Sequence, residues 1–367
     1  MPKSLNSKKS YKRKYVPYVK GFRPPNKKDS IAACLNHSQK KEFAPHTSFK
    51  LIPKCTSQDD WLAQYCDQGQ SFFSYIQTCP WLSEQEPYYI NQSFNPSGRK
   101  LRDRYPDGAI YIVPLGEFDS NASPDFTLLL EYAQIFFDLP VKTLPKVELT
   151  VDKKFKTFSF VKSGRNLPFK ITTRYENDQY QLKTRSEEGQ GLLEFLDTIA
   201  PDDAFCTIAL TMSDLYQDDS DLFVAGLATI LTPGNHVGVF SLCRYDPTIQ
   251  FSPEFWNNIE YGNDHLNPEE KKRLILTRSC RLITHEIAHT FGIGHCIYYQ
   301  CLMNGSGHLA EDFQQPMFLC PVDLHKLEYL CGFDIIGRYM KMKEFFQKIG
   351  LVNDIKWIDK RLSFIKD

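Results

Sequence analysis

The residues of this chain whose types and spacing could do chemistry lie close together, in the stretch HEIAHTFGIGHC at positions 285–296. His285 and His289 are four residues apart, so on a helix their imidazoles project from the same face, about one turn apart, and can share a cation. Neutral imidazole suits zinc near pH 7, and a catalytic zinc keeps three protein ligands and one open position for water. His295 is the natural third ligand. We therefore predict a catalytic zinc on these histidines, with Glu286 beside them to carry protons.

The third histidine can reach the metal only if the helix ends and the chain reverses. Gly292 and Gly294 allow such a turn, because glycine enters the left-handed backbone region without Cβ strain. From this chain's own residue frequencies, the full pattern has a chance occurrence of roughly one in a hundred thousand, against about one per cent for HExxH alone. A histidine-rich surface helix without metal is the disfavoured alternative.

A second cluster follows directly. The segment CIYYQCLM places Cys296 and Cys301 with four residues between them, and CPVD places Cys320 and Asp323 with two residues between them. Single thiols are commonly buried hydrophobic groups, and an aspartate after such a turn is commonly a surface cap. The clustering of ligand types nevertheless favours a second metal site. Seven further cysteines have no ligand spacing, and we predict that they are free thiols, namely Cys34, Cys55, Cys66, Cys79, Cys206, Cys243 and Cys280.

Residues 285–320 resemble the archaemetzincins, metzincin zinc metallopeptidases whose signature runs HExxHxxGxxHC, four residues, C-x-M, a spacer and CxxC. Residues 202–216, 238–241 and 324–327 are also similar to the animal members of that family. The resemblance implies a catalytic zinc on the three histidines, restricted peptidase specificity of aminopeptidase type, and Met303 as the Met-turn residue that forms an apolar floor beneath the metal.

The same resemblance implies a structural zinc on four cysteines. Three of them match cysteines of this chain, namely Cys296, Cys301 and Cys320. The fourth position holds Asp323, and although zinc accepts carboxylate oxygen, closed structural sites mostly use cysteine and histidine. The fourth ligand is therefore open between Asp323 and three nearby alternatives, His325, His308 and Cys331.

Composition places the chain among globular proteins. Its 367 residues are 42% hydrophobic and 14% aromatic, enough to bury a sizeable core. No apolar run reaches the roughly 18 residues of a membrane helix, and the charged N-terminus lacks the apolar region of a signal peptide. We expect a monomer without membrane contact in the cytoplasm and/or the nucleus, not a secreted protein, with cysteines kept as thiols or metal ligands.

The charge distribution is uneven although the formal net charge is zero. Residues 1–28 hold ten lysines or arginines and no acid. We predict that residues 1–45 form a basic, disordered tail. The KKSYKRK cluster in it is either a nuclear-import signal, a weak nucleic-acid contact or simply a solvated charge run.

Apolar patterning indicates an α/β fold with a mixed sheet backed by helices. Continuous apolar runs predict buried strands at 109–115 and 204–212, and strand-like runs recur at 147–150, 158–161, 169–173, 222–232 and 237–242. Helices are predicted from Ser123-Pro124-Asp125 to about 139, at 192–199 and, more peripherally, after about 340.

The metal helix, at about 268–291, is predicted in most detail. An asparagine cap, a proline at the first position and two acids mark its start at Asn267-Pro268-Glu269-Glu270. Residues spaced four, three and four apart give it a buried face, namely Leu276, Cys280, Ile283 and Ile287.

The resemblance implies a metzincin-like arrangement around this helix. We assign residues 46–292 to an upper catalytic subdomain and residues 293–367 to a smaller lower one, with a substrate cleft between them. The sheet's edge strand, somewhere in 222–242, is our candidate for pairing with an extended peptide.

Two functions remain open from the sequence. The first is a zinc metallopeptidase acting on peptides or proteins, with Glu286 as general base and acid. The alternative is a zinc-stabilised, non-catalytic interaction protein, for which the nucleus is one candidate location, and its basic tail would contact acidic partners. The intact Glu286 favours the enzyme, because a purely structural site needs no carboxylate there.

Overall fold

The structure is a computed structural model that describes residues 15–34, 40–83, 94–118, 123–151, 156–162, 165–176, 179–221, 223–231, 235–247 and 266–367. The KKSYKRK cluster and parts of the 222–232 run lie outside these residues. Among the residues described, no helix combines the length and the apolar character needed to cross a membrane.

The described part of the chain contains eleven strands. In chain order they are β1 (Ala109–Leu115), β2 (Val141–Thr143), β3 (Glu148–Val151), β4 (Lys156–Lys162), β5 (Arg165–Lys170), β6 (Thr173–Glu176), β7 (Gln179–Lys183), β8 (Ala204–Thr211), β9 (Asp214–Tyr216), β10 (Gly226–Ile230) and β11 (His236–Ser241).

Eleven α-helices are described as well. They are α1 (Lys27–Cys34), α2 (Trp61–Gln64), α3 (Phe72–Thr78), α4 (Leu101–Arg104), α5 (Phe126–Phe137), α6 (Leu192–Ile199), α7 (Pro268–Thr290), α8 (Leu309–Asp312), α9 (Pro321–Cys331), α10 (Ile335–Ile349) and α11 (Val352–Lys366).

Five strands form the central sheet, in the order β10-β11-β8-β1-β2. The strands β2, β1, β8 and β11 run parallel, and β10 pairs antiparallel with β11 at one edge. Two smaller sheets accompany it, β3-β4-β5 and β6-β7-β9. The α/β class with a mixed sheet is therefore confirmed.

Both faces of the central sheet are covered by helices. Side chains alternate between faces along a strand, so on β8 Ile208 and Leu210 join the core beneath α7, whereas Ala209 joins the core beneath α6. A strand buried on both faces is a continuous apolar run in the sequence, which is why β8 could be located in advance.

The metal helix α7 begins as predicted. The side-chain oxygen of Asn267 accepts a hydrogen bond from the Glu270 backbone N–H at 3.0 Å, and the Glu270 carboxylate accepts one from the Asn267 N–H at 2.9 Å. This reciprocal capping box satisfies two backbone donors that would otherwise lack partners. All four residues of the predicted core face are buried, namely Leu276, Cys280, Ile283 and Ile287.

The prediction of disorder across residues 1–45 is wrong for residues 27–34, which form α1. Cys34 at its end is fully buried, its thiol donates to the Phe43 carbonyl at 3.3 Å, and its own carbonyl lies 3.1 Å from His325 Nδ1 on α9. The segment has little amphipathic pattern of its own, so tertiary contact with α9 orders it rather than local preference.

The C-terminal helices belong to the main core, which corrects their prediction as peripheral. Phe345, Phe346 and Ile358 are at most 1% exposed and share one hydrophobic cluster with α5 and α7. The helix α10 also starts earlier than predicted, because Asp334 caps it by accepting from the Gly337 N–H at 2.6 Å. This cluster crosses the proposed boundary at 292/293, and the division into two subdomains stays a prediction.

Candidate active site and second metal centre

The structure brings the three predicted histidines together. One ring nitrogen from each lies within 4.8 Å of the others, and the Nε2 atoms of His285 and His289 are 2.9 Å apart. Two nitrogens on one tetrahedral zinc, each about 2.05 Å from the metal, would be about 3.3 Å apart. The spacing of the rings therefore fits a shared zinc ion if the Nε2 atoms of His285 and His289 move slightly apart.

The other nitrogen of each ring has an acceptor. His285 Nδ1 lies 2.8 Å from the Leu302 carbonyl, His289 Nδ1 lies 2.7 Å from the Ile293 carbonyl, and His295 Nδ1 lies 3.2 Å from a carboxylate oxygen of Asp67. These acceptors favour the tautomer with the proton on Nδ1, so each Nε2 lone pair is left for a metal. The acceptor of His295, Asp67, was not predicted, because no local pattern links residues 228 positions apart.

Burial keeps the helix-borne imidazoles neutral. It holds the pKa of His285 well below its usual value and lowers the pKa of His289 to about 4, and repulsion from neighbouring rings acts in the same direction. Neutral imidazole is the form that binds metal. The site is therefore ready to accept a cation at neutral pH without first losing protons.

Glu286, half-buried beside the histidines, has a different environment. Burial, together with the nearby carboxyl of Asp312, raises its pKa to about 8. A bound cation would oppose this shift by favouring the carboxylate. Asp312 is itself held by the Tyr245 hydroxyl, which donates to it at 2.6 Å. The position suits a group that alternates between carboxylate and carboxylic acid.

The turn after α7 needs one glycine rather than two. Gly292 has a φ of 81°, in the left-handed region, and its N–H donates to the His289 carbonyl at 2.9 Å. Gly294 has no positive φ, and an added Cβ there would meet no atom closer than 3.8 Å. Of the two glycines predicted to allow the turn without Cβ strain, only Gly292 takes the left-handed conformation.

Met303 lies in the loop between α7 and α8 and is fully buried. Its carbonyl accepts from the Cys296 N–H at 2.7 Å, and the preceding Leu302 carbonyl is the partner of His285. The loop thus orients His285, a proposed ligand, through the Leu302 carbonyl. The role of Met303 as a Met-turn residue stays a prediction.

The second predicted cluster also assembles. The ligand atoms of Cys296, Cys301, Cys320 and Asp323 lie within 4.8 Å of one another, and all four residues are buried. The sulfurs of Cys296 and Cys320 are 3.5 Å apart, against about 3.8 Å for two sulfurs on one tetrahedral zinc. The residues therefore fit a zinc held by three sulfurs and one oxygen.

The two carboxylate oxygens of Asp323 have separate partners. Oδ2 accepts from the thiols of Cys301 and Cys320, each at 3.2 Å, whereas Oδ1 accepts from the Lys326 ammonium at 2.7 Å. Both charged side chains are fully buried. Lys326 was not predicted, yet it lies one helical turn after Asp323 on α9, at a spacing that sequence reasoning could have used.

The electrostatics of this cluster favour one anionic sulfur, that of Cys296, because burial and the neighbouring groups raise the pKa of the Cys301 and Cys320 thiols well above their usual value. Burial opposes ionisation of Cys296, but hydrogen bonds with Cys301 and Cys320 outweigh it and hold the pKa of Cys296 well below its usual value. Burial raises the pKa of Asp323 to about 7, although Lys326 opposes the shift. A bound zinc ion would keep all three thiols deprotonated.

The alternative fourth ligands lie elsewhere. His325 is stacked on Phe72 with ring centroids 3.6 Å apart and parallel planes, and it faces the Cys34 carbonyl. His308 lies 2.9 Å from Asp60 in a different group. Cys331 is outside the cluster too. The geometry therefore favours Asp323.

The chain is similar to a known protein family and to individual members of it. The family model described as Peptidase family M54 matches residues 161–329. Archaemetzincin-2 from Homo sapiens is 38% identical over 321 residues, covering 84% of this chain and 74% of the relative. Archaemetzincin-2 from Mus musculus is 36% identical, covering 86% and 77%. Archaemetzincin-1 from Homo sapiens is 28% identical, covering 73% and 52%.

Solved structures give weaker matches. An archaemetzincin from Methanopyrus kandleri is 20% identical with a TM-score of 0.37, covering 59% of this chain and 94% of that one. A zinc-dependent peptidase from Methanocorpusculum labreanum is 17% identical with a TM-score of 0.35, covering 59% and 99%.

Proposed function

The chain belongs to the archaemetzincins, peptidase family M54, and is a zinc-dependent metallopeptidase; we propose that it hydrolyses peptide bonds at the histidine centre, with Glu286 moving the protons. The observation that carries this proposal is the shared orientation of the three imidazoles. Each Nδ1 has an acceptor, and the Nε2 atoms of His285 and His289 face each other at 2.9 Å.

In the proposed reaction, Glu286 is general base first and general acid second. Bound zinc supplies a Lewis acid that makes water nucleophilic near neutral pH and polarises the scissile carbonyl. The Glu286 carboxylate accepts one proton from the attacking water as its oxygen bonds to the carbonyl carbon. The same carboxyl then delivers that proton to the amide nitrogen as the C–N bond breaks, which leaves an amine and a carboxylic acid; the acid then loses the second proton of the water to the amine or to solvent.

The sheet supports backbone recognition of the substrate. The strand β10 lies at the edge of the central sheet and pairs on one side with β11. Its other edge can pair with an extended peptide through main-chain hydrogen bonds, which carry little sequence information. We assign this role to β10, within the predicted range 222–242. Specificity, including aminopeptidase-type action, then depends on side chains around the cleft.

The test combines metal counting with a peptide screen. We expect zinc-loaded wild type to cleave members of a peptide library, and cleavage to stop on chelation and return with zinc. In Glu286→Gln, we expect zinc content and melting temperature to stay the same and turnover to fall by several orders of magnitude, because the amide cannot take the proton.

Two outcomes would contradict the proposal. Loss of zinc from Glu286→Gln would mean that the carboxylate is a ligand or a structural group. No cleavage of any peptide by fully loaded wild type would favour the alternative of a zinc-stabilised interaction protein. Glu269→Gln, an exposed change in the first turn of α7, is the control and should match wild type.

We also propose that the protein acts as a monomer in the cytoplasm and/or the nucleus, without nucleic-acid contact beyond the basic tail. All eleven cysteines are free, and ten are buried or half-buried, which suits a reducing compartment. A fluorescent fusion with residues 8–14 deleted tests the import signal. Unchanged nuclear signal would show that this cluster is only a solvated charge run.

A further inference from the structure

The C-terminal end of α7 and the turn to His295 are held by a distant segment, residues 61–81, that precedes the matched family region. A helix end leaves backbone carbonyls without helical partners, and they need donors when buried. At Thr290, Phe291 and Gly292 the side-chain donors come from this one segment. We call this segment, residues 61–81, the clasp.

The clasp supplies a donor to three successive carbonyls. Trp81 Nε1 donates to the Thr290 carbonyl at 2.8 Å, and the Tyr75 hydroxyl donates to the Phe291 carbonyl at 3.1 Å. Gln70 Nε2 donates to the Gly292 carbonyl at 3.0 Å. The helix end therefore has a fixed position relative to the clasp.

Gln70 also holds the other side of the turn. Its Oε1 accepts from the Gly294 N–H at 3.1 Å, so one amide side chain bridges both ends of the Gly292–Gly294 reversal. This bridge lies directly before His295. The turn is thus closed by a side chain from outside it, rather than by its own glycines alone.

The last contact reaches the ligand itself. His295 is the most exposed of the three ligands, with 36% of its side chain open, and it lies off the helix. Asp67 Oδ2 accepts from Trp61 Nε1 at 3.1 Å and lies 3.2 Å from His295 Nδ1. The edge of the Trp61 ring contacts the His295 ring at a centroid distance of 5.3 Å.

We propose that the clasp is a positioning element for the catalytic zinc, in which Asp67 fixes the tautomer and direction of His295 and Gln70 fixes the turn that delivers it. A carboxylate partner orients a ligating imidazole and makes it more basic, and loss of such a partner typically weakens metal binding 10- to 100-fold. His285 and His289 have no side-chain partner of this kind, because their Nδ1 atoms face the backbone carbonyls of Leu302 and Ile293.

The experiment measures metal release from the full-length holoprotein loaded with cobalt(II). Thiolate ligation gives a near-ultraviolet charge-transfer band that an all-histidine site lacks, so the two centres can be followed separately. For Asp67→Ala we expect cobalt to leave the histidine site roughly 10 to 100 times faster on chelation, with the thiolate band unchanged. Asp67→Asn should be intermediate, and Gln70→Ala should also speed release.

Asp59→Ala is the matched control, because Asp59 is an exposed aspartate that lies just before the clasp and outside it. Equal release from Asp67→Ala and this control would overturn the proposal. So would faster release from both centres together with a lower melting temperature of the metal-free protein, since that pattern means general destabilisation. Asp67→Asn, which keeps a polar acceptor, serves if the alanine variant fails to fold.

The inference rests on the proposed histidine centre, and the two can fail separately. Wild type without the histidine-site cobalt signal would contradict the proposed function. Wild type with that signal, but insensitive to both Asp67→Ala and Gln70→Ala, would contradict only the role of the clasp.

Discussion

At the scale of single residues, the second metal centre differs from a four-cysteine zinc site in its fourth ligand and also in the buried partner of that ligand. Asp323 has two oxygens, and Lys326 takes one of them in a fully buried ion pair. From the sequence alone, Asp323→Cys should raise zinc retention and thermal stability, because it restores a thiolate. The structure changes that expectation, since a thiol cannot replace both oxygens.

We therefore predict that Asp323→Cys alone lowers stability, whereas Asp323→Cys with Lys326→Met raises zinc retention above wild type. The single change leaves a buried ammonium without its 2.7 Å partner, which costs on the order of 3 kcal/mol or more. Wild type, Asp323→Cys, Lys326→Met and the double variant form a double-mutant cycle. Denaturant unfolding and chelator titration are measured on all four. Equal zinc loss in all of them would show that position 323 is not a ligand.

A second residue-scale prediction concerns His236 on β11, buried beside Trp81. Burial lowers its pKa to about 4, whereas in the unfolded chain it titrates near 6.5. The unfolded state therefore binds a proton first as pH falls, so the free energy of unfolding decreases between about pH 6.5 and 4. The loss from this group is on the order of 3 kcal/mol.

The measurement is unfolding free energy against pH for wild type and His236→Phe. The variant lacks this titration, so the difference between the two curves should change across that window in favour of the variant at low pH. His236→Gln, which is polar but does not titrate, should have the same pH slope as the phenylalanine variant. Parallel curves for wild type and both variants would contradict the assignment.

At the scale of elements, α7 carries two of the three proposed zinc ligands, His285 and His289, and its end determines the position of the third, His295. The helix stops because Gly292 takes the left-handed conformation and Ile293 N–H donates back to the Ala288 carbonyl at 3.1 Å. The two glycines of the turn are therefore not equivalent, although they look alike in the sequence.

We predict that Gly292→Ala destabilises the protein by about 1 kcal/mol and weakens zinc binding, while Gly294→Ala stays within about 0.5 kcal/mol of wild type. An added Cβ at 292 meets its nearest neighbour at 3.4 Å, so backbone strain is the main cause. Thermal unfolding with and without zinc measures both effects. Equal losses in the two variants would show that φ at 292 is not the reason.

At the scale of the whole molecule, one core joins the active-site helix to the C-terminus. Ile358 on α11 is fully buried in the same cluster as Ile283 and Ile287 of α7. Arg338 on α10 donates to the Phe136 carbonyl of α5 at 2.6 Å. The C-terminal helices therefore support the site through the core, without touching its ligands.

We predict that Ile358→Ala destabilises the protein by about 2 to 5 kcal/mol, because it removes fully buried methyl groups. Val352→Ala on the same helix is the control, since Val352 is 57% exposed and its change should stay within about 0.5 kcal/mol. Denaturant unfolding of both variants decides this. Similar small losses would mean that α11 is a peripheral helix after all.

The sequence by itself determined the features that depend on neighbours along the chain. Local sequence patterns along helices and strands predict four of these features. They are the cap at Asn267, the buried face of α7, the spacing of His285 and His289, and the continuous apolar run of β8. Such patterns involve residues a few positions apart, whose relative placement is decided as soon as the secondary structure forms. The α/β class and the candidate ligands could therefore be predicted.

Only the tertiary structure decided which distant groups complete each centre. Asp67 meets His295 across 228 residues, and Gln70 meets Gly292 across 222. The order in α1 and the burial of α11 likewise come from packing against α9 and the main core. These contacts depend on the path of the whole chain, which local periodicity does not encode. The i,i+3 spacing of Asp323 and Lys326 indicates an ion pair already in the sequence, whereas its complete burial is decided by the core around α9.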